Sequence, residues 1–173
     1  MRAGGPVEVL FGTCGGTIDK VYFDAEDNYA VGAPQLGGLL ERARVDFVYE
    51  ILPLLQKDSL EMTAADREGI RAALLAHPCR RVVLTHGTDT LVETAQALAG
   101  LEGRTIVLMG AMQPARFRES DADFNLGVAV AAVRLLPAGV YVAMHGGVFD
   151  PWKARKNRES QRIEGLGAGG VGD

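Results

Sequence analysis

Cysteine is scarce: the 173-residue chain carries only Cys14 and Cys79, and no CxxC spacing joins them. That excludes a disulfide framework, makes a metal site built on thiolates implausible, and points to free thiols in a reducing compartment. The N-terminus shows no basic n-region followed by an apolar h-region, so a cytoplasmic location is expected. Excess positive charge is also lacking. With 18 Lys and Arg against 22 Asp and Glu, the formal net charge is −4, which argues against a nucleic-acid or anionic-membrane partner. The richest basic run, KARKNR at 153–158, is short and reads as a solvated loop. No apolar run is long enough to span a membrane, because the stretch 126–144 is divided by Arg134 and the Pro137-Ala138-Gly139 turn. Internal repeats are absent, and no metal or cofactor is expected.

What the chain does have is 47% hydrophobic residues and 22 glycines, the composition of a globular protein with many tight loops. Its length suits a single domain, taken as residues 1–164, with the glycine-rich 165–173 as a flexible tail. Short runs of Val, Ile and Leu at 7–13, 45–52, 81–85, 105–109 and 139–144 read as strands buried on both faces. Amphipathic stretches lie between them. Pro34 sits near the start of one whose stripe is Leu36, Leu39, Leu40 and Ala43. Thr63 with Asp66 opens a second, ended by His77-Pro78, and Thr90 with Glu93 forms a capping-box pattern for a third that stops at Gly100. Ser120 with Asp123 opens a fourth, with Phe124, Val128, Ala131 and Leu135 as its buried stripe. Alternating strand and helix imply right-handed crossovers and a doubly wound α/β fold: a mostly parallel sheet with helices on both faces, a Rossmann-like or flavodoxin-like three-layer sandwich. Ligands of such folds bind outside the carboxyl ends of the strands.

Three polar clusters follow strands and so share that edge. TCGGTIDK at 13–20 offers glycines that let backbone approach a ligand and N–H groups that can bind an anion or a carbonyl oxygen. It is neither GxxxxGK[ST] nor GxGxxG, which leaves a phosphate-binding role remote. THGTDT at 85–90 supplies more polar groups than a helix start uses. Thr90 and Glu93 account for capping, Gly87 for the turn and His86 for a scaffold hydrogen bond, whereas Thr88 and Asp89 are left over. HGGVFDPWKARKNRE at 145–159 offers Lys156, read either as an exposed lysine or as a base if desolvation or Arg155 lowers its pKa. A threonine hydroxyl is a poor nucleophile without a base, and a Thr–Lys–Asp trio supplies one.

GGTID, DNYAVG, DSLEMT, THGTDTLVETA, LMGAMQPA and SDADFNLGVAVAAV occur in the order and approximate spacing found in bacterial-type L-asparaginases. Along almost its whole length the chain resembles the amino-terminal domain of that family. The resemblance implies that Thr17 is the nucleophile and that Tyr29 belongs to a mobile loop, 19–32, closing over substrate. Ser59 would bind the substrate's α-carboxylate, and Thr88 would be the second catalytic threonine. Asp89 would contact the α-amino group, and Lys156 would be coupled to Thr88. Gly16 and nearby N–H groups would stabilise the oxyanion. The implied reaction is hydrolysis of a side-chain amide with release of ammonia.

Three features depart from the family pattern. The sequence stops before the usual carboxy-terminal domain, whose copy in a neighbouring subunit completes each site. Leu60 stands where some relatives place a glutamine, and Cys14 replaces the usual threonine before GGTI. The acyl-transfer machinery is thus represented more fully than amino-acid recognition. The resulting expectation is an asparaginase-like amidohydrolase acting as a homo-oligomer, a dimer or higher, on asparagine, glutamine or a related small amide. The alternative is an amino-acid-binding or sensor domain without turnover.

Overall fold

The central layer is a six-stranded sheet whose two faces are covered by different pairs of helices. The computed structural model describes residues 5–22 and 29–166, apart from the side chains of Tyr22 and Tyr29. In chain order the elements are β1 (Val9–Gly15), β2 (Lys20–Tyr22), β3 (Tyr29–Val31), α1 (Leu36–Arg42), β4 (Tyr49–Lys57), α2 (Ala64–Ala76) and β5 (Arg81–Thr85). Then follow α3 (Leu91–Ala97), β6 (Thr105–Met109), α4 (Ala122–Leu135), β7 (Gly139–Met144), β8 (Gly147–Phe149), β9 (Ala154–Asn157) and β10 (Arg162–Gly165). The sheet order is β4-β1-β5-β6-β7-β8. Every pairing is parallel except β7 with β8. The five parallel strands follow the flavodoxin-like order, whose switch point lies between β1 and β5.

Alternation along the strands divides the core. Leu10, Val82, Leu84, Ile106 and Leu108 face α2 and α3 through Ile70, Leu74, Leu91 and Leu98. Val9, Phe11, Val83 and Val107 face α1 and α4 through Leu36, Leu39, Leu40, Leu126 and Val133. Helices on both faces force the central strands to be apolar at every position, so the expected limits of β5, β6 and β7 match those observed. The edge strand β4 is half-exposed and runs five residues past its expected end at Leu52. Pro53 lies within it, which an edge strand tolerates, since among the described residues β4 pairs with β1 alone.

The buried face of α4 is not the expected one. Phe124 is 62% exposed and Leu135 is 82% exposed, whereas Ala122, Asn125, Leu126, Ala129, Ala132 and Val133 pack inward. Small residues let the helix sit close to the sheet, and Asn125 is buried because its amide is fully bonded. The KARKNR run is also no simple loop: Ala154–Asn157 forms β9, antiparallel to β10, and Gly165 pairs with Ala154. The strand therefore includes the residue expected to begin the tail. Residues 167–173 lie outside the described residues, as do residues 23–28 of the expected mobile loop. Among the described residues no helix is long and apolar enough to cross a membrane.

Candidate active site

Two glycines bring the candidate residues together. Gly16, just past β1, has φ +90°, and a Cβ there would lie 2.3 Å from the Gly87 Cα. A Cβ on Gly87 would in turn lie 2.6 Å from the Ser59 Oγ. The turns after β1 and β5 thus touch backbone to backbone at the switch point, with the Ser59 turn against the second. Thr17 and Thr88, each the next residue along, leave from touching backbones. The N–H of Gly16 donates to the Lys57 carbonyl at 3.0 Å, so Gly16 serves by close approach, and its own N–H is not free for an oxyanion. Gly16→Ala combines a left-handed φ with a clash against backbone that cannot swing aside. It is expected to cost about 3 kcal/mol, measured as the shift in urea unfolding.

Lys156 arrives on β9, far along the chain from Asp89. Its Nζ donates to the Thr88 Oγ1 at 2.9 Å and to the Asp89 Oδ1 at 2.7 Å. The Lys156 side chain is 11% exposed and that of Asp89 is 35% exposed. The exposed-lysine reading is therefore replaced by a half-enclosed ion pair with a threonine hydroxyl bonded to the same ammonium. Ser59 is buried, and its Oγ has no hydrogen-bond partner among the described residues. Thr17 opens a short 3-10 turn, Thr17–Asp19, and is partly exposed. Of Tyr29 only the backbone, in β3, is described; its side chain, like Asp24, Glu26, Asp27 and Asn28, lies outside the described residues.

His86 is fully buried, and its Nδ1 donates to the Gly87 carbonyl at 2.8 Å. Burial drives its pKa down to about 4, with the Arg67 charge adding to the effect and the Gly87 bond opposing it. It is neutral scaffold for the turn. The capping role expected of Thr90 is not seen: α3 has no side-chain cap, and the Thr90 Oγ1 donates to the Ser59 carbonyl at 2.8 Å. The same pattern at Thr63 does form a capping box with Asp66. Thr90 ties the β5 turn to the Ser59 turn.

One supporting network escaped the sequence reading. Asp121 accepts the N–H groups of Met112 and Gln113, and Asn125 donates to the Gly110 carbonyl and accepts from the His145 N–H. It fixes the loops after β6 and β7. The i, i+4 spacing of Asp121 and Asn125 was the available signal. Among the described residues no group of three or more His, Cys, Asp or Glu could hold a metal ion.

A flavodoxin-like α/β domain with a Thr–Lys–Asp cluster at its switch point is the class that fold and site define. The chain belongs to the asparaginase N-terminal family, which matches residues 8–168. It is 33% identical over 139 residues to a subunit of the glutamyl-tRNA(Gln) amidotransferase of Aeropyrum pernix, covering 77% of this chain and 31% of that protein. Its counterpart in Methanococcus vannielii is 44% identical over 71 residues, 40% of this chain and 17% of its own length. The thermostable L-asparaginase from Thermococcus kodakarensis superposes with a TM-score of 0.76 at 29% identity, covering 86% of this chain and 47% of that one. The chain thus spans less than half the length of each of these relatives.

Proposed function

We propose that the chain is an amidohydrolase that cleaves the side-chain amide of asparagine, glutamine or a related small amide to the acid and ammonia. The observation that carries this reading is Lys156 held between the Thr88 hydroxyl and the Asp89 carboxylate. In the first half-reaction the Thr17 hydroxyl oxygen attacks the amide carbon, its proton passes to the departing nitrogen, and ammonia leaves an ester on Thr17. In the second, water attacks that ester; its proton returns to Thr17 as the acid departs. Lys156 accepts and returns protons through Thr88, and Asp89 stabilises the ammonium form. The free Ser59 hydroxyl beside these groups suits a substrate carboxylate. The relatives are named as part of an amidotransferase and as an L-asparaginase, and both names describe amide chemistry. The family resemblance further implies a homo-oligomer.

The test is ammonia release from asparagine, glutamine and a panel of small amides. Wild type should turn over at least one of them, and Thr17→Val and Thr88→Val should each lose more than about a hundredfold in kcat. Equal activity in all three proteins would eliminate the mechanism. Amino-acid binding by calorimetry with no ammonia formed would favour the sensor alternative.

A further inference from the structure

Lys20 follows the Thr17–Asp19 turn and Asp58 precedes Ser59, so each borders one wall of the candidate site. The Lys20 Nζ lies 3.0 Å from the Asp58 Oδ2, with side chains 26% and 32% exposed. The other oxygen of Asp58, Oδ1, accepts the Leu60 N–H at 3.1 Å and caps the 3-10 turn Ser59–Glu61. One carboxylate thus shapes the Ser59 turn and grips the residue after the Thr17 turn. Burial pushes the Asp58 pKa up, but the Leu60 N–H, the Lys20 ammonium and the Lys156 charge together hold it below its ordinary value. The position of the pair follows from the chain, since Asp58 directly precedes Ser59 and Lys20 directly follows the Thr17–Asp19 turn.

Lys20 also starts the two-stranded ribbon of β2 and β3. So short a ribbon has little stability of its own, and its attachment to β4 and the Ser59 turn is polar. The Gln56 Nε2 donates to the Val31 carbonyl at 2.8 Å, and Lys20 binds Asp58. Between these straps lies an open cleft of about 500 Å³ lined by Lys20, Val31, Gln56, Asp58 and Leu60. Across this cleft the two side-chain bonds tie the ribbon to β4 and to the Ser59 turn.

We propose that Lys20 and Asp58 are positioning residues: a clasp that fixes the distance between the β2–β3 ribbon and the Ser59 turn, and so sets affinity for a small amide bearing a carboxylate. The inference rests on the amidohydrolase reading. The backbone leading into Thr17 is held elsewhere, Gly16 by its hydrogen bond to the Lys57 carbonyl and its close approach to Gly87, and Thr88 is held by Lys156. Loss of the clasp therefore changes KM and leaves kcat nearly intact.

Lys20→Met should raise KM about fivefold with kcat within about twofold. Asp58→Asn keeps an acceptor for the Leu60 N–H and should do the same. The double variant should be no worse than either single one, and Lys20→Arg should restore wild-type KM. An unchanged KM, or a kcat that falls in step with the KM effect, would overturn the clasp. If wild type releases no ammonia from any amide, the amidohydrolase reading fails, and the Kd of L-aspartate by calorimetry then replaces KM. A fivefold weaker Kd in Lys20→Met supports the clasp; an equal Kd, or no binding by wild type, overturns it.

Discussion

Lys156→Met is expected to lower kcat for amide hydrolysis about a thousandfold, within the range measured when a general base is removed. Methionine retains most of the stem of a side chain that is 11% exposed, so packing survives. Asp89, 35% exposed, keeps enough water that losing its partner costs under about 1 kcal/mol. The thermal midpoint should therefore move little while activity collapses. Lys156→Arg separates the two roles of the ammonium. Arginine restores the charge beside Asp89 but cannot give up its proton at neutral pH, so stability should return and activity should not. Recovery of activity in the arginine variant would show that the charge alone suffices and that Lys156 is no base. Steady-state ammonia release and thermal unfolding of the three proteins decide the matter.

The parts of the fold that were legible in the sequence are those where one physical demand dominates. Strands β5 and β6 and the second half of β7 are buried on both faces, and apart from polar ends at Arg81, Thr85 and Thr105 they hold only Val, Ile, Leu, Met and Ala. Helix α1 shows its three leucines because its outer face is polar. Helix α4 misled because it is apolar almost all the way round: helical spacing suggested Phe124 and Leu135 as core, whereas close approach to the sheet selected Ala122, Ala129 and Asn125. Thr63 and Thr90 head nearly the same sequence pattern, yet only Thr63 caps, since a carbonyl of a distant turn lies within reach of Thr90. Thr88 and Asp89 were legible as leftovers, polar groups that no cap or turn accounted for, and the other members came from the family resemblance. Their juxtaposition was not. The bond between Thr88 and Lys156 spans 68 residues and depends on the β9–β10 hairpin, which the basic run concealed. The Lys20–Asp58 pair bridges two turns with no local signature.

Asp19 and His86 are expected to pull stability in opposite directions over the same pH range. Asp19 is 1% exposed, and burial raises its pKa to about 6 although the Gln35 N–H, bonded to its Oδ1 at 2.8 Å, opposes the shift. A raised acid binds more protons folded than unfolded between about pH 4 and 6, so its contribution to stability falls as pH rises through that window. His86, lowered to about 4, is the reverse. The unfolded chain binds the extra proton between about pH 4 and 6.5, so its contribution rises with pH. Each amounts to about 2 kcal/mol between pH 4.5 and 7, and in wild type the two nearly cancel. Single substitutions expose them. Relative to wild type, Asp19→Asn should gain about 2 kcal/mol on going from pH 4.5 to 7, and His86→Gln should lose about as much. Urea unfolding at the two pH values measures both differences, and differences of the same sign would refute the assignment of the two buried groups. Asp19 follows the Thr17 turn and His86 precedes the Thr88 turn. The two groups thus border the two turns that carry the candidate threonines, one on each side of the switch point.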